Sequence, residues 1–126
     1  MKKHFKVVLC FLSLLTISCN KDKQIQELLN GHTATEIIEG ANMAGESGNK
    51  KYVPLLLKNA YKPRASTDLR HKGFTVYTEV MYALNQIFHI KPPHKFGDIL
   101  ESPDSLNISF YTSLWLKTNQ HNPKIK

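Results

Sequence analysis

Two cysteines are all that the 126 residues provide, Cys10 and Cys19, and both lie near the N-terminus. Everything after residue 19 is free of thiols. Disulfides, thiolate metal sites, cysteine nucleophiles and redox pairs are thereby excluded from the bulk of the chain, and packing alone must hold its fold. Long apolar runs are also missing. The longest, Val7–Ile17 (VVLCFLSLLTI), has 11 residues, whereas an ordinary bilayer crossing needs about 20. There is no Gly-rich phosphate loop, no nucleophile elbow and no paired-carboxylate signature, so the common hydrolase and nucleotide-binding patterns are absent. Acidic residues are the minority, 10 Asp+Glu against 17 Lys+Arg, for a formal net charge of +7. The length suits one small domain and excludes multidomain enzymes and membrane-spanning bundles.

What is present begins with a segment that reads as removable. Met1–Lys6 (MKKHFK) is basic, Val7–Ile17 is apolar, small Ser18 precedes Cys19, and polar Asn20-Lys21-Asp22-Lys23 follows. Length and flanks fit a secretory signal. Leu15-Thr16-Ile17-Ser18-Cys19 resembles the lipobox that ends a bacterial lipoprotein signal, with Thr16 where Leu is usual and Leu15 one position earlier. The resemblance implies cleavage before Cys19, a thioether from its sulfur to diacylglycerol, and a fatty acyl group such as palmitate on the new amine. Two or three acyl chains anchor stably where one binds marginally. The implied partner is then the membrane and the implied location the bacterial cell envelope. Lys21-Asp22 does not match the Asp that, directly after the Cys, retains such proteins in the inner membrane, which favours the outer one. Losing residues 1–18 removes Lys2, Lys3 and Lys6, leaving 14 basic and 10 acidic side chains, a net of +4, on 108 residues. Of those 108, 41 are apolar, a modest supply for a small core.

The remainder reads as helices. Residues 19–32 read as a lipidated tether, Cys19–Lys23, and a brief helix, Gln24–Asn30, closed by Gly31. The main domain is expected over 33–118, with 119–126 a polar tail. Thr33 and Glu36 have capping-box spacing, and Ala34, Ile37, Ile38, Ala41 and Ala44 follow one helical face. Gly45–Asn49 ends that helix and caps the next, expected over Lys50–Ala60 with Val53, Leu56, Leu57 and Ala60 inward and Pro54 in the first turn. Tyr61–Gly73 is a loop in which Asp68–Arg70 predicts one helical turn. A third helix over Phe74–Phe88 carries two apolar stripes, Val76/Val80/Ala83/Leu84/Ile87 and Tyr77/Met81/Phe88. Lys91-Pro-Pro-His94 forbids continuation. Leu106–Thr118 fits both a strand, by alternation of Leu106, Ile108 and Phe110, and a helix, by Ile108, Tyr111 and Trp115. Ser102-Pro103 as a start signal favours the helix.

Ala44, Gly45, Gly48, Asn49, Val53, Pro54, Leu55 and Leu56 resemble a HEAT-like repeat, in which a helix ends in small residues, turns on Gly, and continues as an apolar-Pro-apolar-apolar helix. Tyr82-Ala83-Leu84 and Ile87 resemble the start of a following unit. The resemblance covers roughly residues 34–88 and implies an all-α fold, a short HEAT-like stack of antiparallel helix pairs whose surfaces bind other proteins. An unrelated small helical bundle would have the same periodicity.

Reactive constellations are few. His32, His71, His89, His94 and His121 offer no helical i, i+4 pair; His89 and His94 are separated by two prolines, so no metal site or cofactor is expected. Glu36, Glu39 and Glu79 read as solvated helix faces with nothing nearby to raise a carboxyl pKa, so no catalysis is expected. Basic residues do cluster: Lys50, Lys51, Lys58, Lys62, Arg64, Arg70 and Lys72 share the region with Asp68 alone and with Tyr52, Tyr61 and Tyr77. An exported lipoprotein rarely meets nucleic acid, so the expected targets are an acidic protein or lipid phosphates. The candidate contact residues are Lys58, Tyr61, Lys62, Arg64, Arg70 and Lys72. The leading expectation is a non-catalytic, membrane-anchored interaction module. A small envelope inhibitor or immunity-type protein is the alternative, and a ligand binder or minor enzyme a third, which would require a polar pocket.

Overall fold

Local capping sets the helix boundaries of the computed structural model, which describes residues 20–120. The signal segment, the lipobox with Cys19, and the last six residues of the tail lie outside the described residues. α1 covers 20–29. α2, Ala34–Ser47, starts at Thr33, whose side chain accepts from the Glu36 amide, and ends at Gly48, whose φ of 65° closes a left-handed cap. The Glu36 carboxylate in turn accepts from the His32 amide at 3.1 Å, one residue earlier than a regular capping box. Asn49 caps a 3-10 turn, Lys50–Tyr52, that runs into α3, Val53–Asn59. The expected Lys50–Ala60 helix is therefore a tight turn plus two α-turns. Asp68 caps the anticipated single turn, a 3-10 element at Leu69–His71. Thr75 caps α4, Val76–Phe88, and α5 runs Ser105–Gln120. The fold is all-α; among the described residues no strand forms, and Ala65 and Thr75 make a lone antiparallel bridge.

α4 starts two residues after the expected Phe74, α5 runs to Gln120 into the expected tail, and two other boundaries also differ from the sequence reading. Residues 20–23 are helical rather than a free tether, because Asp22 is held from a distance: it accepts from Tyr52 Oη at 2.6 Å and pairs with Lys51 Nζ at 2.8 Å. Ile25 and Leu29 are buried, so the folded unit includes α1 and does not start at residue 33. Asp104, rather than Ser102, opens α5; its Oδ1 accepts from the amides of Leu106 and Asn107. The ambiguous 106–118 segment is helix. It buries Ile108 and Tyr111, with Phe110, Leu114 and Trp115 partly covered, and leaves Leu106 and Leu116 exposed.

Both stripes of α4 face the core, buried from Val76 and Tyr77 through Val80, Met81 and Leu84 to Ile87, with Phe88 partly covered. Each large aliphatic side chain so buried stabilises the fold by about 1.5–3 kcal/mol. Ile37, Ile38, Ala41 and Ala44 of α2, Val53 and Leu56 of α3, and Ile25 and Leu29 of α1 complete the core. Small residues set the spacing. A Cβ on Gly40 would lie 2.9 Å from Leu28 Cβ and from the Leu29 amide nitrogen, and one on Gly45 would lie 2.9 Å from Ala83 Cα. Buried Asn59 ties α3 to the end of α1 by donating to Leu29 O at 2.9 Å.

These contacts define two poles. At one, the start of α1 meets the 3-10 turn before α3 through Asp22, the end of α2 meets α4 at Gly45, and Lys50 Nζ lies 5.8 Å from the Phe88 ring centroid. At the other, the ends of α1 and α3 meet at Leu29 and Asn59. There Thr35 Oγ1 is 2.6 Å from Ser66 Oγ, and the Val76 amide donates to Arg64 O at 2.9 Å. Sequence neighbours α1/α2, α2/α3 and α3/α4 are thus antiparallel. The 14 residues of α2, at ~1.5 Å each, separate the poles by about 20 Å.

Candidate functional site

The basic cluster of the sequence is divided by the fold. Lys50 and Lys51 belong to the pole where the described chain begins, and Lys51 is engaged by Asp22. That bond, with the Tyr52 hydroxyl second, holds the Asp22 carboxyl below its usual range and raises the Lys51 ammonium. The far pole receives Lys58, Tyr61, Lys62, Arg64, Arg70 and Lys72. Two of these are engaged. Arg64 donates to His32 O at 3.2 Å. Arg70 donates through Nε to Asp68 at 2.9 Å and through Nη2 to Glu39 at 3.2 Å. The Arg70 guanidinium pulls the Asp68 carboxyl down to about 2. Lys58, Lys62 and Lys72 have no ion-pair partner among the described residues.

The far pole also exposes large apolar side chains. Leu69, at the tip of its 3-10 turn, is 93% exposed, Leu100 69% and Tyr61 60%. Leu100 has φ 56°, a left-handed conformation that costs a non-glycine residue roughly 1–2 kcal/mol. Its amide bonds Gly73 O at 3.0 Å, and Ile99 beside it is also exposed. A strained backbone holding two aliphatic residues in solvent contributes nothing to the core.

A second feature lies on the flank of α4. Residues 89–104 have no regular structure yet are held by buried polar side chains. Asn107 is fully buried; its Oδ1 accepts from the His94 amide at 2.9 Å, and its Nδ2 donates to Tyr77 Oη at 3.0 Å and to His94 O at 3.1 Å. Tyr111 Oη donates to Ile90 O at 2.8 Å. Burial raises both tyrosine hydroxyls above the ordinary phenol range, keeping both neutral, Tyr77 as an acceptor and Tyr111 as a donor. Glu101 Oε2 accepts from the Gly97 amide at 2.9 Å and from Thr78 Oγ1 at 3.0 Å. Between this clamped loop and α4 opens a cleft of about 340 Å³, lined by Tyr82, Asn85 and residues 91–96. Tyr82 and Phe96 meet edge to face at 4.8 Å. His94 Nδ1 lies 2.7 Å from Asp104 Oδ2, a contact that holds the Asp104 carboxyl below its usual value. The lining carries Lys91, His94 and Lys95 and no acid.

The sequence reading used Lys91-Pro-Pro-His94 as a helix stop and weighed His94 only against His89 as a metal ligand. The available signal was the compact alternation of cations, prolines and an aromatic in KPPHKF (91–96) within a long irregular stretch, a length that is uncommon without a function. A second departure concerns Glu79. Half-burial raises its carboxyl above the ordinary value, partly offset by His71, where a solvated face was expected. Glu36 and Glu39 are engaged by the His32 amide and Arg70. No group of three His, Cys, Asp or Glu among the described residues is placed to hold a metal ion. No helix among them is long and apolar enough to cross a membrane. Comparison with protein-family models, curated proteins and solved structures returns no match for this chain.

Proposed function

We propose that this chain is a lipid-anchored, non-catalytic interaction module of the bacterial cell envelope, held through Cys19 to the outer membrane and binding a protein partner with its far pole. The observation that carries the reading is the two-pole arrangement. Residue 20, next to Cys19, begins α1 at one pole, and the 61–73 segment lies at the other. An acyl chain on Cys19 would seat the first pole against the bilayer and direct Tyr61, Leu69, Leu100, Lys58, Lys62 and Lys72 away from it. Exposed aliphatic and aromatic groups on a pole that also carries these lysines match an acidic protein surface with an apolar centre. The α2–α3 pair, with Gly48 at its turn, supports reading the module as HEAT-like.

Two measurements test this. Metabolic labelling with a fatty-acid analogue should mark the wild-type chain and not Cys19→Ser; labelling of neither, or of both, sinks the anchor. Cross-linking in the intact envelope should capture one partner with the wild type and lose it with Leu69→Glu/Lys72→Glu. Both substitutions are at exposed positions and leave the core untouched. Equal capture by the variant refutes the far-pole surface.

A further inference from the structure

We infer that the cleft between α4 and residues 91–96 is a binding site for a carboxylate carried on an apolar, preferably aromatic, body. The inference stands apart from the lipid anchor and the far-pole surface, since it uses neither.

Three properties define the ligand. The first is size and shape: about 340 Å³ lies within the range of small-ligand clefts, roughly 300–1,000 Å³. The second is sign. Lys91, Lys95 and His94 line the space without an acid; Asp104 sits behind His94 on its Nδ1 side, orienting the ring and leaving Nε2 as its other polar atom. An anion is the complementary ligand. The third is the apolar floor. Tyr82, Phe96, Pro92 and Pro93 present flat or ring surfaces, which a bare inorganic ion would leave unused and an aromatic body would cover.

The choice of carboxylate over phosphate follows from the donors. Phosphate sites commonly use nests of backbone N–H groups or the planar fork of Arg. Here the amides of His94 and Gly97 turn inward to Asn107 Oδ1 and Glu101 Oε2, and the lining contains no Arg. What remains is two ammonium groups, an imidazole, the Asn85 amide and the Tyr82 hydroxyl, a donor set suited to a monoanion with two oxygens. The site is also prepared in advance. Asn107, Tyr111 and Glu101 hold the 90–101 stretch from beneath, so little loop ordering opposes binding.

The carboxylate could belong to a free organic acid or to the C-terminal residue of a polypeptide, and the experiment separates them. The full chain, purified in detergent, is titrated by calorimetry and by amide NMR with 3-phenylpropionate, its neutral amide, phenyl phosphate, the tripeptide Gly-Gly-Phe and that peptide's C-terminal amide. Saturable binding of at least one acid is expected, with shifts confined to Tyr82, Asn85 and residues 91–96 and affinity about tenfold above its amide. Tighter binding of 3-phenylpropionate marks a free acid, and tighter binding of Gly-Gly-Phe a chain terminus. Lys91→Gln and Lys95→Gln, both at exposed positions, should each weaken the acid about tenfold without changing the melting temperature. Phe96→Leu should weaken the acid and the amide alike. The assignment is overturned if no acid saturates by about 10 mM, if amides bind as well as acids, if phenyl phosphate binds tightest, or if the lysine variants bind normally.

Discussion

Replacing Asn107 by alanine removes a side chain that is fully buried and makes three hydrogen bonds, to the amide and carbonyl of His94 and to Tyr77 Oη. Each such bond is worth about 1 kcal/mol net, and a partner left unsatisfied costs about 1–3 kcal/mol. Against this, alanine gains up to about 0.7 kcal/mol of helix propensity in the first turn of α5. The expected net loss is about 2–3 kcal/mol, a large share of the ~5–15 kcal/mol typical of a folded domain. In urea, with a slope of about 1–3 kcal/mol per M, the midpoint should fall by roughly 1–2 M.

The same substitution should act locally on the cleft. The His94 amide loses its acceptor, so its hydrogen exchange should accelerate by more than that of the α4 core amides, once the global loss is subtracted. A double-mutant cycle with Tyr77→Phe should return a coupling of about 0.5–1.5 kcal/mol, since Tyr77 Oη is one of the three partners. Leu106→Ala, at the adjacent exposed position, is the control and should stay within about 0.5 kcal/mol of wild type. If Asn107→Ala costs no more than Leu106→Ala, the buried amide does not hold the loop, and the prepared cleft loses its physical basis.

Three further substitutions probe the packing and the half-buried acid. Gly40→Ala and Gly45→Ala should each destabilise by up to about 2 kcal/mol in thermal unfolding, because overpacking at about 1–3 kcal/mol is set against the ~1 kcal/mol that alanine gains in a helix; a stabilised variant would mean that the helices do not approach as closely as the 2.9 Å contacts require. For Glu79, burial raises the folded carboxyl above its unfolded value. Below the ordinary carboxylate range both states are protonated and no penalty arises; the penalty enters as pH rises through the raised folded value. Glu79→Gln should therefore have a higher denaturation midpoint than wild type at about pH 7 and lose that advantage near pH 3.5. An advantage that grew in acid would reverse the assignment.

What could be read from the sequence was what neighbouring residues decide. Thr33, Asn49, Asp68 and Thr75 each cap the residues that follow them; the last extends the same rule to a start that periodicity alone had put at Phe74. The stripes of α4 were visible because their spacing is local. Partners some thirty positions apart were not. Asn20–Lys23 looks like a solvated linker until Tyr52 and Lys51 close on Asp22. Arg70 looks like part of a cationic run until Glu39, on another helix, joins Asp68 around it.

The cleft was hidden for a related reason, and that reason also bears on what the flank of α4 does. Asn107 and Tyr111 lie on α5, a helix of weak amphipathic pattern that buries only Asn107, Ile108 and Tyr111. Two of those three buried residues direct hydrogen bonds into the 90–94 backbone. Apolar residues of similar shape could have filled the same space, and without the cost of desolvating an amide and a phenol. α5 therefore adds less to the core than its 16 residues could, and its polar contacts fix KPPHKF in one conformation. The expected effect of breaking them is accordingly twofold, on stability through the lost hydrogen bonds and on the 3-phenylpropionate titration through a loosened wall. Asn107→Ala protein that remains folded and yet binds 3-phenylpropionate with wild-type affinity would separate the two effects and show the cleft to be independent of its clamp.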